Sequence, residues 1–168
     1  VGSEMCIRDR NTADTVLVTS PTTKKEFEAL TTKPIAVITN GYDVENIAKQ
    51  PLDEKFTLAH IGSFLSERNP QALWQAISEL ISENAVFAEQ FQLKLLGAVS
   101  REVLDSIDQS GLNAYVNNLG YVPHAEAVAH QRKSQVLLLV EIDRDETKCI
   151  IPGKLFEYMV SDLSLIHI

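Results

Sequence analysis

The chain has 168 residues, of which 45% are hydrophobic and 23% are charged, and its formal net charge is −8. This composition excludes a disordered chain, a collagen-like chain and a coiled coil. The acidic balance argues against general binding to nucleic acid or to an anionic membrane, although a local basic pocket for a phosphorylated ligand remains compatible with it. No apolar run approaches the roughly 18 residues of a transmembrane helix.

Both ends of the chain resemble translated DNA adapter. Back-translation of residues 1–9, VGSEMCIRD, and residues 163–168, LSLIHI, gives one DNA element in opposite orientations, similar to the transposon end used in sequencing libraries. We therefore predict that residues 1–10 and 163–168 are adapter-derived and that the rest is an internal fragment of a longer reading frame. Cys149 is then the one remaining cysteine, which excludes an intrachain disulfide and favours a reducing compartment.

The first third of the interior predicts two strands, a helix and a linker. Residues 15–19 and 35–39 are β-branched and apolar, which is typical of buried strands. Between them, Ser20 is the expected N-cap of a helix over residues 21–30 that begins with Pro21. Residues 42–55 are polar without a clear period, and we interpret them as a connection between two domains.

From residue 56 onward, strand and helix patterns alternate four times. Strands are predicted over residues 56–62, 91–96, 114–119 and 135–140. The last of these is the most hydrophobic and is expected at the centre of the sheet. Two helices are predicted to have Asn69 and Ser100 as their N-caps, the first with Pro70 in its first turn. Two more are predicted to begin near His124 and at Pro152. The first of them has an apolar face that consists of Leu73, Ile77, Leu80 and Ile81.

This alternation predicts an α/β fold with a doubly wound parallel sheet of the Rossmann-like kind. Ligands of such folds bind where the carboxyl ends of strands meet helix N-termini. Four loops form that edge, at residues 62–68, 97–100, 120–124 and 141–154.

The loop after the first of these strands, GSFLSERNP, contains a candidate diphosphate site. Gly62 allows a close backbone approach to a ligand, and Arg68 lies beside a helix start. A guanidinium together with free helix amides binds a diphosphate well. The alternative is an ordinary surface arginine.

The last helix, PGKLFEYM, contains a second candidate site. The amides of residues 151–154 are expected to be free at the helix start, where Lys154 adds a positive charge. One turn later, the Glu157 carboxylate is placed to accept hydrogen bonds from two ribose hydroxyls. The alternative is a solvated amphipathic helix with Leu155, Phe156 and Met159 facing inward.

The remaining candidate motifs and residues give weaker evidence for a functional site. The chain contains no G-x-G-x-x-G motif, no phosphate-binding loop and no histidine spacing that suits a metal. His60 lies within a strand and is interpreted as a core histidine, and Trp74 as a packing residue. His124 is interpreted as a helix cap, with ligand contact as the alternative.

Five segments in order resemble one enzyme family. They are ADTVLVTS at residues 13–20, VITNGYD at 37–43, HIGSFLSERNP at 60–70, NNLGYVPHAEA at 117–127 and IIPGKLFEYMVS at 150–161. Together they make the chain similar to the second half of a GT-B glycosyltransferase, most closely glycosyltransferase family 4. The resemblance covers nearly all of the chain between the predicted adapter ends.

The resemblance implies a domain arrangement and a reaction. Residues 11–41 would be the tail of an N-terminal acceptor domain, and residues 56–162 would be a truncated domain that binds the nucleotide-sugar donor. Members of the family are hexosyltransferases that retain the sugar configuration and generally need no metal or other cofactor. The implied partners are a nucleotide-sugar and a glycan or lipid-linked acceptor. The implied location is the cytoplasm, with peripheral association at the inner face of the membrane.

The resemblance also implies roles for single residues. The donor diphosphate would contact Gly62, Ser63, Arg68, Ile151 and Lys154. Glu157 matches the second glutamate of the E-x7-E pattern, which binds the ribose. The loop against the nucleobase consists of Tyr121, Val122 and His124. By the same resemblance, the acceptor-side catalytic residues would lie outside this sequence.

This sequence departs from the family pattern at two positions. Cys149 stands where the first glutamate of the E-x7-E pattern is expected, and Ser63 stands where a second basic residue often follows the loop glycine. Two alternative functions stay open for this reason. One is a sugar-nucleotide epimerase on the same scaffold, and the other is a non-catalytic nucleotide-binding domain.

Overall fold

A computed structural model describes residues 4–42, 50–142, 144, 147 and 150–168. Residues 1–3 of the predicted adapter segment, residues 43–49 of the predicted connection and Cys149 lie outside the described residues. The chain divides into two units, of which the first is residues 1–43 with 143–156 and the second is residues 44–142 with 157–168. Among the described residues, no helix combines the length and the apolar character needed to cross a membrane.

The first unit contains a pair of short parallel strands. Its elements in chain order are α1 (Glu4–Thr12), β1 (Val16–Val18), α2 (Pro21–Glu28) and β2 (Ile35–Val37). Val16 pairs with Ile35 in the β1–β2 ladder. The Ser20 hydroxyl accepts a hydrogen bond from the Thr23 backbone N–H at 3.0 Å, which confirms the predicted N-cap of α2. Helix α1 includes residues that the sequence attributes to the adapter.

The second unit alternates strands and helices as predicted. Its elements are β3 (Phe56–Ile61), α3 (Gln71–Glu83), α4 (Ala85–Gln90), β4 (Phe91–Leu96), α5 (Arg101–Gln109), β5 (Val116–Gly120), α6 (His124–Lys133), β6 (Val136–Leu139) and β7 (Ser164–His167). Helix α7 (Gly153–Met159) begins in the first unit and ends in the second. Short 3-10 turns precede α3 and β5, at Ser66–Arg68 and Asn113–Tyr115.

The five strands of the second unit form one sheet in the order β5-β4-β3-β6-β7. Every neighbouring pair is parallel, which confirms the doubly wound α/β fold. The prediction that the strand around residues 135–140 is central was wrong, because β3 occupies the centre. A very hydrophobic strand needs burial on both faces, and any interior position in the sheet provides that.

One face of the sheet packs against α3 and α5. The buried side chains of this core include Leu58, Leu93 and Leu138 from three neighbouring strands, together with Trp74 from α3 and Ile107 from α5. Trp74 is a packing residue, as predicted. Leu80, which the helical pattern placed inward, is exposed.

The edge strand β7 pairs with β6, with Val136 opposite Ser164 and Leu139 opposite His167. Its residues fall in the segment that the sequence attributes to an adapter, and that origin stays a prediction. Helix α4 was not predicted. Its N-cap is Asn84, whose side-chain oxygen accepts a hydrogen bond from the Phe87 backbone N–H at 3.0 Å.

Candidate functional site

The strand order places a ligand-binding edge at the end of β3. Chain direction across the sheet reverses between β3 and β6, because β3 is followed outward by β4 and β5 on one side and by β6 on the other. A crevice opens at such a reversal, outside the carboxyl ends of the two strands, and ligands of open α/β sheets bind there. The sequence placed Gly62 and Arg68 at this edge.

The loop after β3 is fixed by close backbone contacts. Gly62 has φ of 119° and Gly97 has φ of 108°, a region that favours glycine. The Gly62 N–H donates to the Leu96 carbonyl oxygen at 2.6 Å. Phe64 then bridges to Val99 in the next loop, and its ring is fully buried. The loop therefore presents its backbone at the sheet edge in one conformation, with the Ser63 side chain exposed.

Arg68 follows in the 3-10 turn that closes this loop. Its backbone N–H donates to the Leu65 carbonyl oxygen at 2.9 Å. The side chain is half-buried, and its Nε atom is buried and forms no hydrogen bond within the part of the chain that the structure describes. A buried guanidinium N–H without an acceptor is costly unless a ligand supplies one. This geometry suits the contact with an anion that the sequence predicts for Arg68.

Asn69 has a different role from the predicted one. Pro70, rather than Asn69, occupies the N-cap position of α3, where no side chain caps the helix. The Asn69 side-chain oxygen instead accepts from Trp74 Nε1–H at 2.9 Å, and its amide donates to the Ser106 hydroxyl at 2.7 Å. Asn69, the residue that follows Arg68, thereby links α3 to α5. Because Ser106 lies 37 residues away, no local sequence signal indicated this bond.

A second cap prediction also fails in part. Ser100 occupies the N-cap position of α5, but its side chain makes no capping hydrogen bond. The Ser100 backbone N–H donates to the Phe64 carbonyl oxygen at 2.9 Å. This residue therefore links the loop after β4 to the loop after β3.

Hydrogen bonds of the adjacent Tyr158 and of its own backbone hold Glu157 near the end of β3. The Tyr158 hydroxyl accepts a hydrogen bond from the Ile61 backbone N–H at 3.0 Å, and Ile61 directly precedes Gly62. Gln131 Nε2 on α6 donates to the Glu157 carbonyl oxygen at 3.1 Å. The Glu157 side chain itself is exposed. A carboxylate that is exposed on an anchored backbone is free to accept hydrogen bonds from a ligand.

The buried face of α7 differs from the predicted one. Met159 is 67% exposed, whereas Tyr158 is 1% exposed. Leu155 and Phe156 are half-buried. Burial raises the pKa of Tyr158 well above its ordinary value, and the neighbouring Glu157 charge adds to this increase, while the hydrogen bond from Ile61 opposes it. Tyr158 was not singled out from the sequence, although its position beside Glu157 in a short helix was visible.

His60 is a bonded core histidine, as predicted. Its ring is buried beside Phe64, with 4.1 Å between ring centroids, and Nδ1 lies 3.0 Å from the Leu138 carbonyl oxygen. The β3–β6 ladder ends with Ala59 opposite Leu137. His60 and Tyr158 thus bond backbone groups of β6 and β3 just beyond the last paired residues of the β3–β6 ladder.

The predicted nucleobase loop lies at the end of β5. Tyr121 is 90% exposed, Val122 is half-buried and His124 is exposed. His124 is the first residue of α6, and Pro123 occupies the N-cap position, so the prediction of a histidine cap was wrong. Two strand spacings separate the ends of β3 and β5, which is about 10 Å.

The structure therefore brings part of the predicted site together. Gly62, Ser63 and Arg68 lie on the loop at the end of β3, and Glu157 is tied to that same strand end. The nucleobase loop belongs to the same edge of the second unit. Ile151 and Lys154 belong to the first unit, and both are half-buried. Among the residues that the structure describes, no group of three potential metal ligands occurs.

The chain matches no family model and no curated protein sequence. Solved structures do resemble it. The pneumococcal O-GlcNAc transferase GtfA, in complex with UDP and GlcNAc, matches 98% of the chain with a TM-score of 0.68 at 16% identity. Sucrose-phosphate synthase from Thermosynechococcus elongatus matches 99% with a TM-score of 0.70 at 17% identity. Anabaena HepE (Alr3699), in complex with UDP and glucose, matches 99% with a TM-score of 0.65 at 17% identity.

The chain corresponds to only part of each of these solved structures. This chain covers 32% of the GtfA chain, 46% of the sucrose-phosphate synthase chain and 48% of the HepE chain. It therefore spans less than half of each of these proteins. The chain therefore shares the Rossmann-like α/β fold of these solved structures.

Proposed function

We propose that this chain is the donor-binding part of a retaining glycosyltransferase that resembles family 4. The complete protein would transfer a sugar, of the hexose type, from a nucleotide-sugar to a glycan or lipid-linked acceptor. One observation carries this proposal: Arg68 and Glu157, the cation and the carboxylate expected to hold the donor, are both tied to the end of β3 at the reversal of the sheet. Two of the similar solved structures contain UDP, which supports a nucleotide ligand.

Each group at this edge has a chemical task in the proposal. Arg68, with a buried Nε–H that has no acceptor among the described residues, neutralises the donor diphosphate. Because negative charge grows on the diphosphate as the sugar leaves, this contact strengthens in the transition state and speeds transfer. Ile151 and Lys154 are predicted from the sequence to add further phosphate contacts. The proposed reaction uses no metal ion or other cofactor.

The nucleoside has two proposed contacts. The exposed Glu157 carboxylate accepts hydrogen bonds from the two ribose hydroxyls, and a charged acceptor makes such bonds strong. Tyr121 and Val122 lie against the base, and an exposed tyrosine ring offers a surface on which a base stacks. His124, at the start of α6, closes this loop.

Sugar transfer needs groups that the proposal places outside these residues. The chain spans less than half of each similar structure named above, and the acceptor side is not assigned to any residue here. We therefore expect the 168 residues to bind a nucleotide without transferring a sugar.

Titration calorimetry of the full chain with UDP, GDP and ADP tests the proposal. We expect one of the three to bind, and the corresponding nucleoside monophosphate to bind more weakly, since Arg68 would lose part of its charge contact. Glu157→Gln should weaken binding of the nucleoside diphosphate. Glu54→Gln changes a carboxylate at the other end of β3 and should leave that affinity unchanged. Binding of none of the three diphosphates by a folded chain would refute the proposal.

A further inference from the structure

The last turn of α7 is attached to the rest of the second unit by hydrogen bonds on two consecutive residues. Gln131 Nε2 donates to the Glu157 carbonyl oxygen at 3.1 Å, and the Ile61 N–H donates to the Tyr158 hydroxyl at 3.0 Å. Gln131 is 5% exposed and Tyr158 is 1% exposed. The two bonds span 26 and 97 residues of sequence, so they join α7 to α6 and to β3.

These bonds fix more than apolar packing would. Burial of apolar surface has no directional preference, so a short helix held by packing alone can rotate or slide. A hydrogen bond has narrow limits of distance and angle. Two of them, on adjacent residues and from two different elements, define the rotation and the height of the last turn.

The residue that these bonds locate is Glu157. Its carbonyl oxygen is one of the anchored atoms, and its carboxylate remains exposed. The other anchor, Ile61, directly precedes Gly62 and the loop that ends at Arg68. The same contacts thus set the distance between a carboxylate and a diphosphate-binding loop. In a nucleotide the ribose hydroxyls and the diphosphate are also a fixed covalent distance apart.

We infer that Gln131 and Tyr158 are positioning residues that hold the Glu157 carboxylate where it meets both ribose hydroxyls of the nucleotide. This inference rests on the proposed function and adds two residues to it. Neither residue touches the nucleotide. Their effect is therefore specific to the ribose hydroxyls, because a displaced carboxylate loses its bonds to them while the diphosphate contacts remain.

A comparison of ribose and dideoxyribose ligands tests this inference. The full chain is titrated with UDP, GDP and ADP and with the 2′,3′-dideoxy form of whichever binds most tightly. The wild type should prefer the ribose form. Tyr158→Phe and Gln131→Met should each reduce this preference by roughly five- to tenfold, the scale of one ordinary hydrogen bond. The affinity for the dideoxy form should change little.

Matched variants separate positioning from general damage. Tyr115→Phe removes a hydroxyl from a tyrosine packed on Phe91, and Gln75→Met changes an exposed glutamine on α3, so both should keep the wild-type preference. If Tyr158→Phe and Gln131→Met weaken both ligands equally, the two residues only stabilise the fold and the inference is wrong. If Gln131→Met does not fold, Tyr158→Phe decides the question alone.

Glu157→Gln distinguishes a failure of this inference from a failure of the proposed function. If Glu157→Gln abolishes the ribose preference while the two positioning variants retain it, the inference alone fails. If Glu157→Gln leaves the ribose preference unchanged, Glu157 does not contact the ribose. Both the positioning inference and this part of the proposed function are then wrong. Loss of preference in all three variants supports both.

Discussion

Gly62 and Gly97 lie so close that a Cβ atom added at Gly97 would be 2.5 Å from the Gly62 carbonyl oxygen. Gly97 also has φ of 108°, which side chains rarely adopt. These two constraints act on the loops after β3 and β4, which form the candidate ligand edge. The contact is between backbones, so no side-chain rotation can relieve a clash there.

Gly97→Ala should therefore destabilise the chain strongly. We expect a loss of about 3 kcal/mol or more in the free energy of unfolding, because backbone strain of about 1–3 kcal/mol adds to a displacement of the Gly62 loop. Urea denaturation followed by fluorescence of the single tryptophan, Trp74, measures it. Nucleotide affinity should fall as well, because the displaced loop leads to Arg68.

Gly111→Ala is the matched control. Gly111 has φ of 72°, but nothing lies within 4 Å of an added Cβ atom. This variant has the strain without the clash, and we expect a loss of about 1 kcal/mol. Equal losses for the two variants would contradict the role of the Gly62–Gly97 contact.

Arg68→Ala should weaken binding of the nucleoside diphosphate by roughly 10- to 100-fold, as expected for the loss of a charge-assisted contact of about 1.5–3 kcal/mol. Stability should change little, because the side chain has no acceptor at Nε among the described residues. Calorimetry with the diphosphate that the wild type prefers measures the affinity, and repetition at several salt concentrations tests whether charge is responsible.

Lys55→Ala controls for net charge. Lys55 is exposed and directly precedes β3, at the amino end of the strand. This variant removes the same positive charge from the opposite edge of the sheet. If Lys55→Ala reduces the affinity for the diphosphate as much as Arg68→Ala does, the effect of Arg68 is general electrostatic attraction. Its assignment to the site would then be wrong.

The sequence was most informative where structure depends on local pattern. Both bounds of β4 were predicted, and its carboxyl end is marked by the glycine that follows the apolar run. The sequence interpretation of the inward face of α7 differed from the observed face by one residue, because seven residues are too few to fix the phase of a helical pattern. A rotation of one residue exchanged buried Tyr158 for exposed Met159.

Residues whose partners are remote could not be predicted in this way. Asn69 carries a sequence signal for a helix cap, but it bonds Ser106 instead. Gln131 resembles any polar residue on a helix, and only the fold shows that its amide reaches α7. His60 is bonded across the sheet to Leu138, 78 residues away. A single sequence contains no record of such pairs, because they follow from strand order.

A buried ion pair anchors the segment before β3. Lys94 on β4 pairs with Asp53, and their side chains are 4% and 24% exposed. Asp53→Asn leaves the more buried charge without its partner, so we expect a loss of about 2–3 kcal/mol in the free energy of unfolding. Lys94→Met leaves the more exposed carboxylate unpaired and should cost about 1 kcal/mol.

The double variant Asp53→Asn/Lys94→Met completes this test. Because it removes both charges, we expect it to be more stable than Asp53→Asn alone in urea denaturation. Strictly additive losses would mean that the pair does not stabilise the fold. The Asp53 backbone bonds to Lys133 and Gln135 should keep the segment in place in every variant.

Tyr158 should make the stability of the chain fall at high pH. Burial raises the pKa of Tyr158 in the folded state far above its ordinary value of about 10. Below pH 10 the hydroxyl is protonated in both states, so it adds no pH dependence. Above pH 10 the unfolded chain ionises and the folded chain does not, so the unfolded state binds fewer protons and stability decreases as pH rises.

This contribution is measured by comparing wild type with Tyr158→Phe between pH 9 and 11. The wild type should lose about 1.4 kcal/mol more than the variant by pH 11, at a limiting slope of about 1.4 kcal/mol per pH unit. Ser161→Ala is the control, because it removes a hydrogen bond to the Tyr158 carbonyl oxygen without removing a titrating group. It should lower stability equally at every pH and keep the wild-type slope. Parallel curves for wild type and Tyr158→Phe would show that the hydroxyl is accessible to solvent in the folded state, and the anchor between α7 and β3 would then be absent.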